Sequence, residues 1–86
     1  MVQVLATADP ERFQVLHDGR LVHATLPHQA RRALGLHGTP PVTIASELVQ
    51  LLVEQDAWPG DRDEVALLAL AGPLPGFAEE LRARLS

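Results

Sequence analysis

Cysteine, lysine, tyrosine and asparagine are all missing from the 86 residues of this chain. Without cysteine, no disulfide or thiolate–metal staple can reinforce a small fold. Two of the four side chains that most often serve as nucleophiles, Cys and Lys, are gone with it. Long apolar stretches are missing too. The longest unbroken run covers residues 65–72, far short of the ~20 residues of a membrane-spanning helix, so no membrane role is expected. Met1-Val2-Gln3-Val4 lacks the cationic start and apolar middle of a signal peptide. With the missing cysteines, that makes the cytoplasm the expected location. Ala, Leu, Arg, Pro and Gly dominate what remains, a bias that GC-rich coding DNA produces.

Forty-seven per cent of the residues are hydrophobic, which suffices for a core and exceeds what disordered segments carry. The length reads as one domain, residues 1–86. A chain this size buries only roughly 60–65% of its unfolded surface. Self-association is the expected supplement, because it adds buried area without adding chain.

Charge is unevenly spread. Residues 1–43 hold four arginines against three acids, whereas residues 44–86 hold three arginines against eight acids. All four histidines, His17, His23, His28 and His37, lie in the first half. Phosphate binding rests on cationic side chains, so the second half is poorly suited to nucleic acid.

Residues 2–6 read as a short strand with β-branched residues at alternate positions, broken by Asp9-Pro10-Glu11. Residues 9–19 admit two readings. In one, residues 13–17 and 20–25 form a hairpin about Asp18-Gly19, a dipeptide suited to a type I′ turn. His17 then pairs with Arg20, Leu16 with Leu21, Val15 with Val22, Gln14 with His23 and Phe13 with Ala24. That register puts Phe13, Val15, Val22 and Ala24 on a core face, with Leu16 and Leu21 on the opposite face near the turn. In the other reading Asp9 caps a helix, Pro10 opens it and Gly19 ends it.

Residues 27–34 suit a short helix with Ala30, Ala33 and Leu34 on one side and Gly35 as terminator. Residues 37–41, with two prolines, form a stiff linker. Thr43 is placed as N-cap of a helix from Ile44 to about Ala57. Ser46, Glu47, Gln50 and Glu54 share one sector of it, and apolar residues fill the rest. So wide an apolar surface must be covered on more than one side. Asp61 and Glu64 are spaced as a capping box for a helix over residues 62–71. A last helix follows over residues 75–85, with Glu79 and Glu80 early and Arg82 and Arg84 late, as the helix dipole favours. The expected architecture is α+β: an N-terminal β-hairpin or three-stranded meander (residues 1–26), a short helix (27–36), and a helical bundle of three to four helices (43–86).

Chemistry-bearing constellations do not emerge. His17 and His23 fall on opposite faces of the hairpin, and His28 has no carboxylate or second histidine at i+4, so no metal ligand set is read. Ser46 falls in a first helical turn, where a hydroxyl commonly serves backbone bonding. The glutamates occupy polar helix faces, and the six glycines mark turns or helix ends rather than a phosphate loop. No cofactor and no enzymatic activity are expected.

One stretch carries a resemblance. Residues 18–36 run Asp-Gly-Arg-Leu-Val-His-Ala-Thr-Leu-Pro-His-Gln-Ala-Arg-Arg-Ala-Leu-Gly-Leu. A Gly-Arg strand, a Pro-started helix and an Ala-Leu-Gly-Leu ending make it resemble AbrB-type transcription factors and related antitoxins. It departs from them in a Thr25-Leu26-Pro27 step about three residues late. Their second hairpin is replaced by Gly38-Thr39-Pro40-Pro41 and a long helix. The resemblance implies a DNA-binding regulator in which Arg20, Arg31 and Arg32 face phosphate with His28 nearby.

The principal expectation is a small protein-interaction or accessory module acting as a homodimer, with self or another protein as partner and nucleic acid disfavoured. Its interface candidates are Leu16, Leu21, Leu48, Leu51, Leu52 and Trp58. Trp58 has two roles open to it, a residue closing the core at a helix end or an anchor in an interface.

Overall fold

A hairpin with an Asp-Gly turn organises the sheet. The computed structural model describes residues 2–36 and 38–85. Strands β2 (Arg12–His17) and β3 (Arg20–Thr25) pair antiparallel in the register derived above, from His17 opposite Arg20 to Phe13 opposite Ala24. Asp18 and Gly19 both have positive φ, 51° and 75°, as a type I′ turn requires. The helical reading of residues 9–19 fails for a local reason. Asp9 accepts the Glu11 amide at 2.9 Å, as a helix cap would, and its carbonyl accepts the Arg12 amide at 3.1 Å. The turn stops there because Arg12 enters the hairpin ladder opposite Thr25. Strand β1 (Val2–Ala6) returns antiparallel along β2, with Val4 opposite Val15 and Leu5 opposite Gln14.

A fourth strand departs from the sequence expectation. β4 (Glu64–Ala66) pairs parallel with β3, giving the order β1-β2-β3-β4. The residues read as one helix from 62 to 71 are this strand followed by helix α3 (Leu67–Ala71). Val65 is buried beside Ala24, while Glu64 and Ala66 are exposed. The capping-box spacing of Asp61 and Glu64 is thus overridden by pairing to a strand distant in sequence. Parallel pairing needs a crossover, and helices α1 (His28–Ala33) and α2 (Pro41–Glu54) supply it.

Both crossover helices end in the same way. After α1, Leu36 N–H donates to the Arg31 carbonyl at 2.9 Å, with Gly35 at φ 72°. After α2, Ala57 N–H donates to the Leu52 carbonyl at 2.8 Å, with Asp56 at φ 56°. These are Schellman closures, and Asp tolerates the left-handed position better than most residues. Helix α2 begins at Pro41, not at Ile44 with Thr43 as cap. Proline at N1 lacks only an amide that would go unbonded there, and its φ suits a helix. On α1 the buried residues include Arg31 and exclude Ala33. The arginine stem packs inward while its Nη2 lies 2.7 Å from His28 Nδ1. His37, placed in the linker by sequence, lies outside the described residues.

Helix α2 is the centre of the molecule. It packs on β1, on α3 and on α4 (Phe77–Leu85). Ile44, Ala45, Leu48, Val49 and Leu52 are 0% exposed and Leu51 3%. The wide apolar surface read from the sequence is therefore covered within a single chain, by the sheet on one side and two short helices on others. Its radius of gyration, 11.7 Å, is close to the ~12 Å of a compact chain of this length. Strands and helices thus share one core.

Two arginines tie α4 in place. Arg84 grips Glu54 with two hydrogen bonds of 2.7 and 2.8 Å and also reaches Glu80 at 3.1 Å. Arg82 donates from Nε to the Leu34 carbonyl at 3.0 Å, serving the C-terminal end of α1. No helix among the described residues is long and apolar enough to cross a membrane.

Candidate interaction surface

All helices lie on one side of the sheet, so the strand register divides residues into a core set and an open set. Val2, Val4, Phe13, Val15, Val22, Ala24 and Val65 point to the helices and are buried or half-buried. Gln3, Leu5, Arg12, Gln14, Leu16, Leu21, His23, Thr25, Glu64 and Ala66 point away. Among the described residues the exposed large hydrophobics are Leu5 at 44%, Leu16 at 38% and Leu21 at 48%. All three belong to this open face. Leu16 stands directly opposite Leu21, and Leu5, opposite Gln14, is the diagonal neighbour of Leu16.

The face is divided along the strands. Its hairpin end holds Leu16, Leu21 and Gln3 without a formal charge. Its other end is polar: Arg12 on β2 meets Glu64 on β4 at 2.6 Å, passing over β3. Both partners are more than half exposed, so this pair contributes little to stability. It does close the polar end of the face electrostatically.

The interface residues expected from sequence are split by the fold. Leu16 and Leu21 are surface residues. Leu48 and Leu52 are core and offer no surface to a partner, while Leu51, 3% exposed, reaches the surface only at the floor of a shallow cleft. Trp58 is half-buried and packs against the core just past α2. Leu5 was absent from the sequence expectation. The signal was present in the alternation of Val2 and Val4 with Gln3 and Leu5, but its face is defined only once β1 is paired to β2.

The candidates for phosphate contact are not assembled into a free cationic face. Arg31 is 7% exposed and turned to His28. Arg20 donates to the Gly60 carbonyl at 2.6 Å and to Asp63 at 3.0 Å. Arg32 and His28 are exposed, and the His28 amide donates to Glu11 at 2.6 Å.

On the helical side, a shallow cleft of about 300 Å³ lies between the end of α2 and the turn before α4. Leu51, Leu74 and Phe77 form its apolar wall, and its one ionisable group is Glu80, already engaged by Arg84. The histidines are dispersed: His17 at the hairpin turn, His23 on the open face, His28 on α1. No three His, Asp or Glu side chains among the described residues gather as a metal would require.

Comparison with family models, with curated proteins and with solved structures finds no match to this chain.

Proposed function

We propose that this chain is a small protein-interaction module that works as a homodimer, presenting the helix-free side of its sheet. The observation that carries the reading is the gathering of Leu5, Leu16 and Leu21 on one face. Single exposed leucines are ordinary on soluble proteins; contiguous ones on an uncovered face are the usual mark of a contact surface. Leu48 and Leu52 do not contribute, since the chain encloses them itself, and Leu51 shows only 3% of its surface. Size supports pairing independently, because a chain of this length gains buried area most readily from a second copy. The absence of cysteine fits a reducing compartment, and the cytoplasm is where we propose it acts.

Sedimentation equilibrium at micromolar concentrations tests the reading. A dimer is expected. A protein that remains monomeric up to a hundred-fold higher loading removes it.

A further inference from the structure

From the free edge of β1 we infer how the two copies join: along their β1 strands, antiparallel, into one eight-stranded sheet. This rests on the homodimer reading and specifies its geometry.

A two-residue type I′ turn makes its flanking residues a hydrogen-bonded pair, so the backbone groups of His17, Val15 and Phe13 point toward β3. Those of Leu16 and Gln14 must then point toward β1, where they meet Gln3 and Leu5. By the same alternation, the N–H and C=O groups of Val2, Val4 and Ala6 point outward from the sheet. Among the described residues they take no backbone partner.

Edge strands are normally protected by a charge, a proline, a bulge or a covering element. Val2-Gln3-Val4-Leu5-Ala6 has neither charge nor proline, and its register with β2 runs without a bulge. The strand is also self-complementary. A two-fold axis through Val4 sets Val4 against Val4, Val2 against Ala6, and Gln3 against Leu5. That register, and no other symmetric one, engages all three outward-facing residues, with six backbone hydrogen bonds across the axis.

Both sides of the edge suit a second copy. On the helix side a shallow groove runs between β1 and α2, lined by Val2, Gln50, Val53 and Glu54. Its one carboxylate, Glu54, is neutralised in place by Arg84. Two copies therefore bring together apolar walls and satisfied ion pairs, not bare like charges. On the open side the axis stands perpendicular to the sheet, so both leucine patches emerge on the same face. Leu5 of the second copy falls beside Gln3, in line with Leu16 and Leu21. Six leucines then cross the joined sheet as one band, roughly 24 Å between the two Leu21 strands at ordinary strand spacing.

Amide hydrogen exchange on the intact chain, at a concentration where sedimentation reports a dimer, tests the geometry. The amides of Val4 and Ala6 are expected to be as protected as those of Gln3 and Leu5, and to lose that protection on dilution. Free exchange at Val4 and Ala6 in a sample that is dimeric overturns the edge pairing and leaves the homodimer standing. A monomeric sample overturns both. Ala6→Pro gives a second test. Ala6 is exposed and its N–H faces outward, a position where an edge strand accepts proline. Loss of two cross-axis hydrogen bonds should weaken the dimer roughly 30-fold with the circular dichroism spectrum unchanged. An Ala6→Pro dimer as tight as the parent overturns the proposal. If the substitution unfolds the chain, the exchange pattern of the parent protein decides.

Discussion

Arg84 on α4 and Glu54 at the last position of α2 form a two-pronged ion pair, with both guanidinium Nη atoms within 2.8 Å of the two carboxylate oxygens. Arg84 also holds Glu80 one turn earlier on its own helix. One side chain thereby joins the two helices that close the core from the side opposite the sheet.

That contact gives the fold an acid dependence. The hydrogen bonds from Arg84 hold the Glu54 carboxyl below its ordinary value of 4.5. A carboxyl with a depressed folded-state pKa stabilises above its unfolded value and ceases to do so as pH falls through the folded one. Glu54→Gln should therefore melt below the parent at neutral pH, and the gap should narrow as the pH is lowered past 4.5. A gap of constant size in strong acid would show that the pair has no such part in stability.

Core and surface leucines should respond very differently to truncation. Leu48 is 0% exposed and Leu21 48%. Leu48→Ala should cost about 2–5 kcal/mol through lost burial and the cavity left behind. Leu21→Ala, measured on Ala6→Pro at a concentration where sedimentation reports a monomer, should stay within about 0.5 kcal/mol. Denaturant titration of both variants checks the pair. Similar losses would mean that the open face is not open.

Gly19 offers a test of the turn alone. A Cβ there would touch nothing within 4 Å, so the whole effect of Gly19→Ala is the backbone cost of φ 75°, about 1–2 kcal/mol. The melting temperature should fall with no change in the circular dichroism spectrum. An unchanged melt would argue against the type I′ geometry.

The arginine placements predict feeble duplex binding. Arg20 and Arg31 are turned to partners within the chain, and the net charge is −4. Few counterions would be released, so affinity in a salt series should be low and nearly flat. A steep fall with added salt, abolished by Arg32→Ala, would revive the regulator that the 18–36 stretch resembles.

Local signals in the sequence define the hairpin and the end of α1, though not the start of α2, which Pro41 opens in place of Thr43. Asp18-Gly19 and the two-residue period of residues 13–17 and 20–25 define the hairpin register, because a slip of one would turn Phe13 and Val22 outward. Gly35 marks the end of α1 because the closing turn needs a left-handed residue, and its φ is 72°. Where distant segments decide, the signal was weak or misleading. The strand at Glu64–Ala66 exists because β3 offers it a ladder, and three residues carry too little periodicity to announce that. Leu48, Leu51 and Leu52 look surplus on α2 alone, since nothing in that helix records that β1, α3 and α4 close around it. Arg31 on α1 carries a charge that suggests solvent, yet its stem is buried once His28 takes up the guanidinium. The face that Leu5 occupies is undefined by β1 alone and follows from its pairing with β2.

The parallel fourth strand also sets an order of assembly. The β1–β3 meander closes through short turns, whereas Thr25 and Val65 meet only across forty residues of chain. Bringing such remote segments together carries the larger loop-closure cost, so docking of β4 belongs late on the folding route, after α1 and α2 have shortened the path. Substitutions at Val65 should accordingly accelerate unfolding while leaving the refolding rate nearly untouched, and those at Val15 or Val22 should slow refolding. Stopped-flow kinetics on the two sets would separate early contacts from the final latch.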